Sequence, residues 1–474
     1  MPAILTFDLG TTYFKAALFD DEGRLRGLHR LSPLIRRSAD GWAEIEPRDF
    51  LMAIGEAAAA LKAADPDVFP AVEAVTFATQ TNSFLLLGPA DEPLTPIILW
   101  SDLRAADLAR EVEALSRLPG FTARTGLPAV GVEFLAAKMP WLHRHRPEVA
   151  VRARRLCLIS DFLTLYLTGC HVTDAGAAGL TGLLDVHALR WWPESAAAMG
   201  VDPQWLPEVL RTGSEVGRLR LPVARELGLP AECRFIIGCL DQYAGAIGAG
   251  SMTPDSLSET TGTVLATVRL APGFMTAPPP GVFQGPSFDP GRYFRMCFGG
   301  TSARLLEWLV QHLPDPVSFT TLDDEASAVE PGSAGLRVRP DAVRATSLAD
   351  GFVGWTAQRT RGQMARAIME AVAYALAGQV AALCGGRPPS RVYSSGGAAR
   401  SDPWLQIKAD VLGVPVAAGI CPEPTSLGVA LLAGQARRWG RIDELAERWI
   451  QTRCVLQPDE RKTIFYKRLN VTQS

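Results

Sequence analysis

Asp8, Gly10, Thr11, Thr12 and Lys15 stand close together near the start of the chain. Backbone N–H groups and two hydroxyls at such a turn can grip phosphate oxygens. Asp8 adds a carboxylate suited to Mg2+ held through water. The same residues also suit a plain chain reversal, because short Gly/Thr turns are common. Asp241 is a second candidate. It stands where the apolar run 234–238 gives way to a segment rich in glycine and alanine. A carboxylate there serves either as general base toward a hydroxyl attacking phosphorus, or as a helix N-cap. Gly238, Ala244, Gly248 and Gly250 favour the base, since a cap needs no small neighbours and a close-lying substrate does.

Three further segments carry usable groups. Gln80, Thr81, Asn82 and Ser83 form a polar patch between two apolar runs and offer donors and acceptors to hydroxyls. Trp100, Asp102 and Arg104 combine an aromatic platform, an acceptor and a fixed cation, which fits a polyhydroxylated ligand. A Trp packed in the core beside a surface ion pair would show the same residues. Gly396, Gly397 and Ala398 would let a flat base and ribose lie against backbone, or simply join a strand to a helix. Thr261-Gly262-Thr263 repeats the opening pattern of strand, Gly/Thr turn and strand, as two related domains would.

The elements that must hold these groups alternate in the α/β manner. Strands are predicted at 4–7, 14–19, 25–28, 72–77, 84–87, 234–238 and 391–393, and helices at 48–61 and 242–248. Met364, Ile368, Val372, Leu376, Val380 and Leu383 recur at helical spacing and predict a long buried helix. Ser401 or Asp402 caps another helix, with Pro403 in its first turn and Gly413 at its end. The Pro- and Gly-rich stretch 271–290 reads as a surface loop.

A chain of 474 residues exceeds the size of one core, so two or more domains are expected. Hydrophobic content of 47%, charged content of 20% and a net charge of −3 describe an ordinary globular protein with no pull toward nucleic acid or membrane. Arg366, Glu370 and Gln379 interrupt the longest apolar stretch, so no membrane span is expected. The N-terminus has no basic n-region and Thr6 and Asp8 break its apolar run, so a signal peptide is not expected. The eight cysteines form no Cys-x-x-Cys pair and read as thiols of a cytoplasmic protein rather than disulfides or zinc ligands.

Taken together the segments resemble the FGGY carbohydrate kinase family, sugar and polyol kinases of the actin-like ATPase superfold, over residues 3–440. Asp8-Leu9-Gly10-Thr11-Thr12 with Lys15 resembles the first phosphate motif, and Trp100-Ser101-Asp102-Leu103-Arg104 the family's Trp-x-Asp-x-Arg. Gly238-Cys239-Leu240-Asp241 resembles the segment bearing the catalytic aspartate, and Thr261-Gly262-Thr263 the second phosphate motif. Gly396-Gly397-Ala398 through Ser401, with Trp404, Gln406, Ala409 and Asp410, resembles the adenosine motif, followed by Glu423 and Leu427-Gly428. The resemblance implies two RNase-H-like domains with the active site in the cleft between them, at 1–247 and 248–440, followed by a helix and tail at 441–474. It implies ATP and Mg2+ as cofactors and Asp241 as the base. Asp8 and Mg2+ would order the triphosphate. Gly10, Thr11, Thr12, Lys15, Gly262 and Thr263 would contact phosphates, and Gly396, Gly397, Ala398 and Ser401 the nucleoside.

On the substrate side the resemblance points to Gln80, Thr81, Asn82, Trp100, Asp102 and Arg104. Xylulokinase-like members carry Gln-Met-His-Gly where this chain has Gln80-Thr81-Asn82-Ser83, and glycerol kinases follow the glutamine position with Arg-Glu. A ketose such as a pentulose, or a sugar alcohol, is the expected small-molecule partner. The segment 340–354 lacks the family's Gly-Glu-Arg, which bears on subunit contacts; a homodimer is admitted and the oligomeric state stays open. Two other readings use the same fold: an actin-like ATPase or phosphohydrolase acting on water, and a non-catalytic sugar- or nucleotide-sensing module. Gln80, Trp100 and Asp102 argue against the first, and retention of Asp241 against the second.

Overall fold

The computed structural model describes residues 1–471. Strands β1 (Ala3–Leu9) and β2 (Phe14–Asp20) form an antiparallel hairpin, and β3 (Leu25–Leu31) extends it. Every residue of β1 is buried, whereas β3 mixes polar and apolar side chains and is partly exposed. That contrast is what a central and an edge strand require. On the other side of β1 lies β4 (Val72–Thr79), parallel to it. The sheet continues through β5 (Glu215–Arg218) and β6 (Arg234–Ile236), in the order β5-β6-β4-β1-β2-β3, and the short β7 (Cys239–Leu240) also pairs with β4.

Helix α1 (Pro47–Ala64) begins with Pro47 in its first turn, where a missing N–H costs nothing, and packs on β2 and β3. Phe50, Ile54, Ala57, Ala58 and Leu61 form its buried face, at the three-and-four spacing of an amphipathic helix. They join Phe7, Phe14, Phe77, Phe235 and the helix α2 (Ile159–Thr168) in one core. Each such Phe, fully buried, contributes roughly 1.5–3 kcal/mol relative to exposure. A smaller antiparallel sheet of Arg36–Arg37, Ala43–Ile45, Ile97–Ile98, Phe84–Leu87 and Arg155–Leu158, in that order, carries the segments that contain Gln80 and Trp100. Helix α3 (Asp241–Ala249) follows β7 directly.

The second sheet repeats the opening theme. Strands β8 (Ser256–Thr261) and β9 (Leu265–Ala271) are an antiparallel hairpin around Thr261-Gly262-Thr263, with β10 (Tyr293–Gly299) beyond β9. The predicted long helix is α4 (Arg361–Cys384), opened by a Thr360/Gln363 capping box and closed at Gly385. All six residues of the predicted stripe are buried. Its length and hydropathy would suffice for a membrane span, yet it packs into this unit and buries the Arg366–Glu370 pair. Strand β11 (Arg391–Ser395) runs parallel to β8, helix α5 (Asp402–Leu412) follows, and β12 (Val416–Gly419) and β13 (Thr452–Leu456) extend the sheet beyond β11, with α6 (Pro424–Ala436) between them in sequence. Ser401 rather than Asp402 caps α5, accepting from the Trp404 amide at 3.2 Å.

The chain folds into two compact units, each assembled from separated segments. The first comprises Met1–Gly248, Ala271–Phe294 and Glu423–Ile450; the second comprises Ala249–Leu270, Arg295–Pro422 and the chain from Gln451 onward. Helix α6 returns to the first unit, where it packs on β1 and β4.

Candidate functional site

Strand register gathers the first unit's candidates at one edge. Leu9 of β1 and Leu240 of β7 both pair with Thr79 of β4. The residues immediately after them, Gly10, Asp241 and Gln80, therefore emerge together at the carboxyl ends of three parallel strands. Open α/β sheets hold ligands at such ends. Gly10 is required there: a Cβ would lie 2.7 Å from the Tyr13 carbonyl oxygen.

Asp8 faces Lys15 across the β1–β2 hairpin, and the Lys15 ammonium lies 3.2 Å from Asp8 Oδ2 and 2.9 Å from Glu423 Oε2. Arg30 of β3 also donates to Glu423, the residue that opens α6. Burial raises the pKa of Asp8, with Lys15 opposing it. Burial pulls Lys15 down, but Asp8 and Glu423 more than offset this and raise it. The motif reading singled out Glu423 without a role; its place opposite Lys15 depends on α6 returning to the first unit.

Asp241 is the first residue of α3 and accepts from the adjacent Gln242 amide at 2.7 Å. Burial, followed by the negative charge of Asp8, pushes its pKa up to about 7, against the Gln242 amide and Lys15. A carboxylate poised there can take a proton near neutral pH. The small residues around it have another duty. A Cβ on Gly248 would lie 1.8 Å from the Pro424 carbonyl oxygen, one on Gly428 1.9 Å from that of Ala244, and one on Gly238 1.7 Å from that of Phe77. They let α3 and α6, and the chain entering β7, approach neighbouring backbone, so Gly238, Ala244 and Gly248 are explained by packing rather than by a substrate.

Thr11, Gln80 and Trp100 meet. Thr11 Oγ1 accepts from Trp100 Nε1 at 2.8 Å and donates to Gln80 Oε1 at 3.3 Å. Ser83 Oγ donates to Gln80 Oε1 at 2.9 Å and accepts from the Trp100 amide at 3.0 Å. Beneath them Lys138 donates to the carbonyls of Trp100, at 3.1 Å, and Val132, at 2.6 Å. Burial lowers its pKa to about 7. Ser83 and Lys138 were not picked out from sequence as holding Trp100. The Thr11 hydroxyl is engaged by Trp100 and Gln80, while Thr12 is exposed.

Other substrate-side candidates are committed inside the protein. Asp102 is fully buried and accepts from the amides of Ala43, at 2.6 Å, and Arg104, at 3.0 Å, and from Arg104 Nε and Nη2, both at 2.8 Å. Burial would raise its pKa, but these bonds hold it below the ordinary range. Arg104 also pairs with Glu44, and its guanidinium lies 4.4 Å from the Trp42 ring centre and 5.2 Å from that of Trp141. Asp102 and Arg104 thus brace the chain below Trp100; their pair is buried, not on the surface. Asn82, at φ 61°, donates to the Leu180 carbonyl and accepts from the Leu135 amide, and Thr81 donates to the Ala177 carbonyl. Gln80 is itself buried, its Oε1 taken by Thr11 and Ser83 and its Nε2 donating to the Gly10 carbonyl at 3.4 Å, so the 39%-exposed Trp100 remains as the presenting residue of this group.

In the second unit Thr260 of β8 pairs with Ser395 of β11, so Thr261 and Gly396 follow at one sheet edge. A Cβ on Gly396, at φ +80°, would lie 2.8 Å from the Thr261 carbonyl oxygen, whereas Gly262 and Gly397 face open space. Thr263 is exposed, Ala398 is buried, and the Ser401 hydroxyl is used by the α5 cap. All eight cysteines are free. Among the described residues no group of three or more His, Cys, Asp or Glu side chains is arranged for a metal. Asp8 and Asp241 do offer hard carboxylate oxygens, which suits an ion such as Mg2+ that keeps most of its shell for water and phosphate.

Residues 3–248 match the FGGY family of carbohydrate kinases, N-terminal domain, and residues 301–437 match its C-terminal domain. The chain is 30% identical over 418 residues to the xylulose kinase of Escherichia coli (strain K12), covering 86% of this chain and 84% of that one. It is 29% identical over 474 residues to the glycerol kinase of Aromatoleum aromaticum (strain DSM 19018 / LMG 30748 / EbN1), covering 95% and 93%. The crystal structure of gluconate kinase from Lactobacillus acidophilus superposes with a TM-score of 0.88 over 99% of this chain and 96% of that one, at 24% identity.

Proposed function

Because the chain belongs to the FGGY family of carbohydrate kinases, we propose that it transfers the γ-phosphoryl group of ATP to a hydroxyl of a neutral ketose or sugar alcohol, with Asp241 as general base. The observation that carries this reading is the Asp241 carboxylate, lifted to about 7 and emerging beside Gln80 and Gly10 at one sheet edge. As the acceptor oxygen attacks phosphorus, its O–H proton passes to Asp241, the new P–O bond forms, and ADP leaves with the electrons of the broken bond. Lys15, held by Asp8 and Glu423, brings a cation to the phosphate turn, where positioning and charge compensation supply most of the catalysis. Asp8 and Asp241 would hold Mg2+ through water, and the ion would supply charge neutralisation on the phosphates.

The neutral character of the acceptor rests on what the candidate substrate residues present. Trp100 offers an aromatic face, while the nearby Arg104 pairs with Asp102 and Glu44 and Lys138 donates to backbone carbonyls. A sugar acid would want a free cation there, so a pentulose such as xylulose, or an alditol, fits better than gluconate. The test is ADP release with ATP and Mg2+ across pentuloses, hexuloses, alditols and gluconate. A neutral polyol should stimulate release strongly and gluconate weakly. Release independent of every acceptor would sink the proposal in favour of a phosphohydrolase.

A further inference from the structure

Behind the Gly/Thr turn of the second unit lies a lysine–glutamate pair that the reading above does not use. Lys408, on α5, and Glu259, on β8, have fully buried side chains, and Lys408 Nζ lies 2.6 Å from Glu259 Oε1. The ammonium also donates to Thr261 Oγ1 at 3.0 Å and to Ser394 Oγ at 3.5 Å, and it lies 5.4 Å from the Trp404 ring centre. Glu259 in turn accepts from Thr261 at 2.6 Å through Oε2 and from the Ser394 hydroxyl through Oε1. A lysine has three donors. Here they reach the carboxylate and one hydroxyl on each of two neighbouring strands.

Those two strands end in the two loops that resemble nucleotide-binding motifs. Thr261 begins the Thr261-Gly262-Thr263 turn, and Ser394 stands two residues before Gly396. Alongside, the Thr260 and Ser395 hydroxyls bond each other at 2.7 Å, and Gly396 rests against the Thr261 carbonyl. α5 itself starts just after the second loop and ties its own indole, Trp404 Nε1, to the Met369 carbonyl of α4. One ammonium therefore couples the phosphate turn, the glycine loop and the helix behind it.

Stability alone is a poor reason for such a pair, because an apolar pair of similar volume often serves a core as well or better. What charges with fixed directions add is register. We infer that the buried Lys408–Glu259 pair is a positioning device for nucleotide: it fixes the spacing between the Thr261–Thr263 turn and the Gly396–Ala398 loop so that one nucleotide engages both. The inference rests on the kinase reading.

The test is the double variant Glu259→Gln/Lys408→Met, which removes both charges while keeping volume and leaving an amide for Thr261 and Ser394. Calorimetric titration of wild type and variant with ADP should show at least a tenfold rise in Kd. The KM for ATP should rise in parallel while the KM for the sugar and the urea midpoint hold near wild type. An unchanged ADP Kd in the folded double variant would overturn the inference and leave the pair a core element only. Should the double variant fail to fold, Ser394→Ala and Thr261→Val each remove one hydroxyl from the network. Each should raise the ADP Kd threefold or more, and unchanged values in both would equally overturn it. Failure of the wild-type chain to bind ADP would instead overturn the kinase reading beneath it.

Discussion

Replacing Asp241 by Asn should stabilise the fold while strongly slowing phosphoryl transfer. The folded protein holds the Asp241 carboxyl at about 7, against an ordinary value of 3.8, so between those limits the folded chain binds a proton that the unfolded chain has released. The slope of stability with pH follows protons bound unfolded minus folded, so it is negative across this window and stability falls as pH rises through it. At ~1.36 kcal/mol per pKa step, the full cost above pH 7 is about 4 kcal/mol. Water reaching the half-buried carboxylate reduces this. An asparagine, which still accepts from the Gln242 amide but carries no charge, should recover about 1–3 kcal/mol at pH 8 and nothing near pH 3. Urea unfolding of wild type and Asp241→Asn at pH 8, 6 and 4 measures the difference directly. Activity should fall by ~100-fold to ~10,000-fold, the range general-base catalysis supplies. ADP affinity should be retained. Two outcomes would refute the reasoning: a variant that turns over at wild-type rates, or one whose stability differs from wild type by the same amount at every pH.

Other consequences follow from the same geometry. The acid limb of kcat/KM should titrate near pH 7 in a pH–rate profile, because Asp241 must be unprotonated to act. Arg104→Ala should cost about 3–5 kcal/mol in urea unfolding by leaving Asp102 buried without its partner, a loss far larger than a surface ligand contact would give. Trp100→Phe keeps an aromatic face but loses the indole donor to Thr11, and should raise the KM for both sugar and ATP several-fold in steady-state assays. Gly428→Ala should destabilise by about 1–3 kcal/mol or more, since its methyl would meet the Ala244 carbonyl; a thermal midpoint unchanged from wild type would contradict the close α3–α6 contact.

How much of this could be read from sequence depended on how far each group's partners lie along the chain. The β1–β2 hairpin was readable because its strands and Gly/Thr turn are adjacent in sequence, whereas the pairing of Asp8 with Lys15 across it came only from the strand register. The α4 stripe and the Ser401 cap were readable because a helix determines its own face and ends locally. Trp100-Ser101-Asp102-Leu103-Arg104 shows the limit. Five neighbouring residues look like one ligand platform, yet the partners that settle their roles are Glu44, Trp42 and the Ala43 amide on one side, and Thr11 on the other. Those partners bury Asp102 and Arg104 and leave Trp100 partly outside. The glycines after Cys239 misled for the same reason, because Gly428, the surface that demands Ala244 and Gly248, lies on a helix far along the chain. Lys408 left a faint trace, a cation on the buried face of an apolar helix, and Glu259 another, an acid within a strand. A buried charge in a periodic apolar segment has to be paired, so two such anomalies in one domain are grounds to seek each in the other. Neither the strand nor the helix alone says that they meet behind a Gly/Thr turn. That follows only from the parallel pairing of β8 with β11, which brings two loops more than a hundred residues apart to one edge.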